Sequence, residues 1–117
     1  MTTIDIPDYV TRAKSLTDMT RITADLLARA AEANLPAPGN IQLYHCGQEV
    51  RLGFRGHQDT FRTLAQWAER FGGTVTGELF TNDDGQESVH CQVRFPYQGL
   101  TVEAHAFITA DETVSTT

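Results

Sequence analysis

An α+β two-layer sandwich in the order α-β-β-α-β-β-β is the fold this sequence predicts, and three features point to it. Residues 88–95 (Ser-Val-His-Cys-Gln-Val-Arg-Phe) and 100–108 (Leu-Thr-Val-Glu-Ala-His-Ala-Phe-Ile) alternate apolar with polar side chains. That is the period of a strand with one buried and one free face. Two other segments, near 17–34 and 58–71, repeat apolar residues every three or four positions, the period of an amphipathic helix. Two such helices can cover only one side of a five-stranded, mainly antiparallel sheet, so the other side is left open.

The elements follow in chain order. Residues 1–15 carry little pattern and are expected to be irregular, although Pro7 would suit the first position of a short helix. From Thr17, the residues Met19, Ile22, Leu26, Ala30 and Ala33 form one stripe, with Arg21, Asp25, Arg29 and Glu32 opposite. Ser15, Thr17 and Asp18 supply capping chemistry at its start. Leu35-Pro36-Ala37-Pro38-Gly39-Asn40 ends the helix and reads as the linker of the chain. A hairpin is predicted next, residues 41–45 and 50–55 joined by Cys46-Gly47-Gln48-Glu49.

The second helix should run from Gln58 or Asp59 to Phe71. Its stripe is Phe61, Leu64, Ala65, Ala68 and Phe71, with Trp67 on the border, and Gly72-Gly73 provides a left-handed stop. A strand over residues 74–80 follows, then a turn at Asp83-Asp84-Gly85 and the two alternating strands. The tail from Thr109 to Thr117, rich in Thr and acid, is expected to fray. The whole is a single α+β domain over residues 1–117, as the size prior suggests. Its core should include Ile22, Leu26, Ile41, Leu43, Leu52, Phe54, Phe61, Leu64, Phe71, Val89, Val93, Val102 and Ala104.

The stretch Asp59-Thr-Phe-Arg-Thr-Leu-Ala-Gln-Trp-Ala-Glu-Arg-Phe-Gly-Gly-Thr-Val-Thr resembles small α+β proteins of actinobacteria and of their phages or mobile elements. In these, a helix with an Ala-Trp-Ala core ends in Gly and leads into a Thr-Val-Thr strand. The resemblance implies a phage or mobile-element setting. It implies no activity and carries no site residues.

Composition narrows the function. The chain is 40% hydrophobic and 21% charged, ordinary for a soluble domain. Fifteen acidic against nine basic residues give a net charge of −6, which disfavours binding driven by phosphate contacts. The N-terminus has neither a basic start nor an apolar run, and no stretch approaches the ~20 apolar residues of a membrane span. The expected location is therefore cytoplasmic, with no membrane partner. Cys46 and Cys91 fall in predicted strands and are read as reduced thiols.

Register decides which side chains share the free face. A three-residue turn ending in Gly85 places Leu79 opposite Val89 and Glu78 opposite His90. Pairing Phe95 with Leu100 places Val93 opposite Val102 and His90 opposite His105. Glu78, His90 and His105 then form a row across three strands and are candidate metal ligands. The competing reading is a ladder of cross-strand hydrogen bonds. The His45-Cys46 and His90-Cys91 dipeptides do not chelate from a regular strand, since successive side chains point to opposite faces.

No nucleophile–base pair, phosphate loop or calcium loop is present, so the chain is expected to be non-enzymatic and to need no cofactor. Tyr44, Arg51, Arg55, Phe80, Arg94 and Phe107 are expected on the free face. Aromatic residues and arginine are the side chains that interfaces favour. The function expected is association with a protein, or with a second copy of the chain, through this face. The alternative is single-stranded nucleic acid stacked on the same aromatics.

Overall fold

The computed structural model describes residues 6–54, 60–81 and 83–109, with side chains described from residue 15 to residue 108 within those ranges. The elements are α1 (Ile6–Glu32), β1 (Asn40–Tyr44), β2 (Glu49–Phe54), α2 (Thr60–Phe71), β3 (Thr76–Thr81), β4 (Glu87–Tyr97) and β5 (Leu100–Thr109). The predicted order and class hold. The body measures 54 × 40 × 20 Å, and its thinnest dimension matches one helix layer on one sheet.

Helix α1 begins at Ile6 rather than Thr17, so most of the stretch expected to be irregular is helical. Pro7 stands in its first turn, where a missing N–H breaks no intrahelical bond. Among its described side chains, Met19, Thr23, Leu26 and Ala30 are buried, spaced four, three and four apart. Thr23 is tolerated there because its hydroxyl donates to the Met19 carbonyl at 2.7 Å. The helix closes with a left-handed Asn34 (φ 60°). Leu35 N–H reaches the Ala30 carbonyl at 2.9 Å, and Asn34 N–H the Ala31 carbonyl at 3.0 Å. This paired bonding satisfies two end carbonyls and turns Leu35 back onto the core.

In α2 the buried side chains are Thr60, Thr63, Leu64 and Trp67. The face is rotated by about one residue from the expected stripe: Phe61 is 52% exposed and Trp67 is fully buried. The indole explains the choice. It is the largest apolar group on the helix, and burial requires a partner for its N–H. Trp67 Nε1 donates to the Pro36 carbonyl at 3.1 Å, and its ring meets Phe54 edge-on at 5.7 Å and Phe71 at 5.4 Å. Phe71 in turn stacks on Phe95 at 5.3 Å. Ile41, also expected in the core, is 41% exposed because it lies on an edge strand. After α2, Gly73 adopts φ 90°. A Cβ there would strike the Arg94 carbonyl and come within 2.9 Å of Val93 Cγ2, so the chain can pass β4 this closely only as glycine.

The sheet order is β1-β2-β5-β4-β3. β1 with β2, β5 with β4 and β4 with β3 are antiparallel, and β2 with β5 is parallel. Leu79 does face Val89, and Glu78 faces His90. The β4–β5 register differs by two residues from expectation. Tyr97 pairs with Leu100, Phe95 with Val102, Val93 with Ala104 and His90 with Phe107. The turn contains only Gln98 and Gly99, at φ 48° and 86°, and two successive positive φ values make the tight hairpin turn that matches strand twist. Pro96 does not interrupt β4, because β3 pairs with β4 only as far as Gln92 and an edge position tolerates a missing N–H. A two-residue shift preserves parity, so Val93, Phe95, Val102 and Ala104 remain on the buried side. The tail expected to fray lies, beyond Thr109, outside the described residues; Thr109 itself ends β5.

Asp25 ties α1 to the β4–β5 turn. It accepts hydrogen bonds from Tyr97 Oη (2.5 Å), Gln98 Nε2 (3.0 Å) and Arg29 Nε (3.2 Å). The Tyr97 bond, with help from Arg29 and Gln98, holds the Asp25 carboxyl below its ordinary value. A carboxyl lowered on folding stabilises above its unfolded pKa, and that contribution disappears as pH falls through the folded one. Tyr97→Phe should therefore lower the urea midpoint at pH 7 and converge with wild type only once the pH has fallen below the ordinary aspartate range and through the lowered folded value. The rotated face of α2 gives a second expectation. Trp67→Ala should cost about 3–5 kcal/mol in urea unfolding, and Phe61→Ala about 0.5 kcal/mol or less, as at an exposed site.

Candidate functional site

Parity and register together define the open face. Gln42 and Tyr44 of β1, Glu49, Arg51 and Gly53 of β2, and Glu103, His105 and Phe107 of β5 share it. His90, Gln92 and Arg94 of β4 and Thr76, Glu78 and Phe80 of β3 complete it. It divides into a charged half and an aromatic half.

The charged half is built by the central parallel pair, which sets Arg51 beside Glu103. Arg51 Nε lies 3.4 Å from Glu103 Oε2, and its NH2 group 3.6 Å from Glu49 Oε2. Arg94 crosses β5 to donate to Glu49 Oε1 at 2.8 Å. Two cations thus meet two carboxylates. The Arg94 hydrogen bond, opposed by burial and assisted by Arg51, keeps the Glu49 carboxyl below its ordinary value. Glu103 is only 7% exposed although it stands on the open face. The Arg51 guanidinium also lies over the Tyr44 ring, 4.6 Å from its centre, a cation–π contact. Tyr44 Oη donates to Gln42 Oε1 at 3.0 Å. Every described arginine of this face is therefore held in place by a carboxylate.

In the aromatic half, Phe107 stacks on His90 at 4.4 Å and meets Phe80 edge-on at 5.4 Å. His105 approaches His90 edge-on at 5.6 Å. Phe107 is 51% and Phe80 39% exposed. His105 leans over Gly53, where an added Cβ would stand 3.7 Å from its Nε2. Its Nδ1 is buried with no hydrogen-bond partner among the described residues. Burial, with His90 and Arg51 adding to it and Glu103 opposing, lowers the pKa of His105 below the ordinary histidine value.

Five of the six side chains expected on this surface are present in two groups: Tyr44, Arg51 and Arg94 in the charged half, Phe80 and Phe107 in the aromatic half. Arg55 lies outside the described residues. The row Glu78–His90–His105 does not form. The shifted register puts Phe107 opposite His90, and Gln92 opposite His105. Among the described residues no three His, Cys, Asp or Glu side chains are close enough to hold a metal ion. Cys91 is buried on the core side, where desolvation raises its thiol pKa. Cys46 is exposed in the β1–β2 turn rather than in a strand. The residues that sequence reasoning missed are Glu49 and Glu103 as anchors of the arginines. The signal for them was same-face parity with Arg51, and it acquires meaning only once β2 is known to lie beside β5.

Comparison of the chain with family models, curated proteins and solved structures found no match. Among the described residues no helix is long and apolar enough to cross a membrane.

The buried Glu103 makes the charged half testable. Arg51→Met keeps the aliphatic stem and removes the cation, leaving the buried Glu103 carboxylate without its β2 ion-pair partner and with only Arg94 opposite it on β4. It should cost about 1–3 kcal/mol by urea unfolding. Arg94→Met, at a side chain 57% exposed, should cost no more than about 1 kcal/mol.

Proposed function

We propose that the chain acts by binding another protein through the open sheet face, with Phe107 at the centre of the contact. The observation that carries this reading is the pair of phenylalanines, Phe107 and Phe80, packed side by side on a solvent-facing sheet surface beside fixed charges. Aromatic side chains already ordered by one another and by His90 lose little entropy on binding. The adjoining Arg51, Arg94, Glu49 and Glu103 give a rim of both signs, which favours a partner with an apolar knob surrounded by mixed charges. The same pairing counts against single-stranded nucleic acid, because phosphate would compete with Glu49 and Glu103 for both arginines. The reading involves no catalytic step and no cofactor.

Phe107→Glu places a charge in the centre of the surface at a position already half exposed, so folding is spared. Proteins captured from the native cell by immobilised wild type should be lost with this variant and kept with Phe61→Glu, a control exposed on α2. For a captured partner, the expected fall in affinity is at least about 30-fold by calorimetry, the equivalent of a ~2 kcal/mol hot spot. Equal binding by Phe107→Glu would remove the open face as the working surface. Tight binding of a fluorescent oligothymidylate that Phe107→Glu abolishes would replace the protein partner with nucleic acid.

A further inference from the structure

The outer strand of the sheet carries a second feature. All six residues of β3 are exposed, and among the described residues no strand pairs with its outer edge. Natural edge strands are usually blunted by proline, a bulge, inward-pointing charge or shortness. β3 (Thr-Gly-Glu-Leu-Phe-Thr) has no proline and a single charge, Glu78, and its pairing with β4 runs through all six residues without a bulge. Its apolar side chains emerge on both sides. Leu79, on the helix side, is 61% exposed, the largest value among the described large hydrophobic residues. Phe80, on the open face, is 39% exposed. A ligand that covers both must continue the sheet rather than sit on one face of it.

We propose that β3 pairs antiparallel with β3 of a second copy, joining two five-stranded sheets into one of ten strands about a two-fold axis. The occupant follows from the strand itself. An identical strand offers the same unpaired backbone groups and the same two-sided apolar character, and a two-fold contact is self-complementary by construction. In an antiparallel pair, opposed residues point to the same side, so a two-fold axis must pass through a residue position rather than between two. Two registers overlap five residues of β3. One sets Glu78 against the partner's Glu78, which like-charge repulsion disfavours. The other sets Leu79 against the partner's Leu79, Glu78 against the partner's Phe80 and Gly77 against the partner's Thr81. The second register is the one we assign. It covers Leu79, the more exposed of the two apolar side chains, with its own symmetry mate. This contact uses the edge of the sheet and does not rest on binding through the open face.

Light scattering after size exclusion should give wild type a mass of twice 12.9 kDa. Leu79→Lys should give the single-chain mass with unchanged circular dichroism, because the position is mostly solvated in the monomer. Phe107→Glu should stay dimeric. In a Cys46→Ser background, Leu79→Cys should form an interchain disulfide with oxidised glutathione. Directly opposed strand residues lie roughly 4.5–5.5 Å apart at Cα, within disulfide reach. Phe61→Cys, exposed on α2, should not cross-link. A monomeric wild type, a dimeric Leu79→Lys or a Leu79→Cys chain that fails to cross-link would each overturn the proposal. Loss of the dimer in Phe107→Glu alone would instead assign self-association to the open face.

Discussion

The parallel pairing of β2 with β5 joins what would otherwise be two separate β units. The β1–β2 hairpin and the β3–β4–β5 meander each close through local turns, and α2 is the connection that lets β5 return beside β2. Val50, Leu52 and Phe54 then lie against Val102, Ala104 and Ala106, all buried, and form the floor on which α1 and α2 pack. The same register sets Arg51 next to Glu103 on the opposite side. One backbone contact therefore organises both the core and the charged half of the open face.

That charged half is unusual for a sheet surface. Glu103 is nearly as hidden as the core residues, and a carboxylate in such a place is costly unless a cation accompanies it. Arg51 supplies the cation and is itself steadied by the Tyr44 ring. Arg94 reaches over β5 to Glu49 and closes the group from the other side. The arrangement gives the face a rigid, nearly neutral rim beside an aromatic patch.

Alternation alone revealed the open face, because a period of two survives any even error in register. Hence Tyr44, Arg51, Phe80, Arg94 and Phe107 stand on the expected side although the β4–β5 pairing is shifted. The shift itself arose from Pro96-Tyr97, which reads as a loop until the absence of β3 from that end of β4 makes proline acceptable. The face of α2 was misjudged because an apolar stripe counts residues equally, whereas packing follows the largest group that can also satisfy its N–H. The union of β2 with β5, and with it the roles of Glu49 and Glu103, was not legible. It joins segments about fifty residues apart, and no local pattern encodes such a contact.

The same separation shapes how the chain is made. During synthesis β2 emerges long before β5, so one side of the early hairpin stays open while residues 55–99 follow. Val50, Leu52 and Phe54 have no strand to cover that side until residues 100–106 leave the ribosome. Local contacts can bring α1, the hairpin and α2 together quickly, but the central pairing must wait, and non-local strand pairing is the slow step in folds of this type. The nascent chain is thus most open to mispairing in the interval before β5 appears.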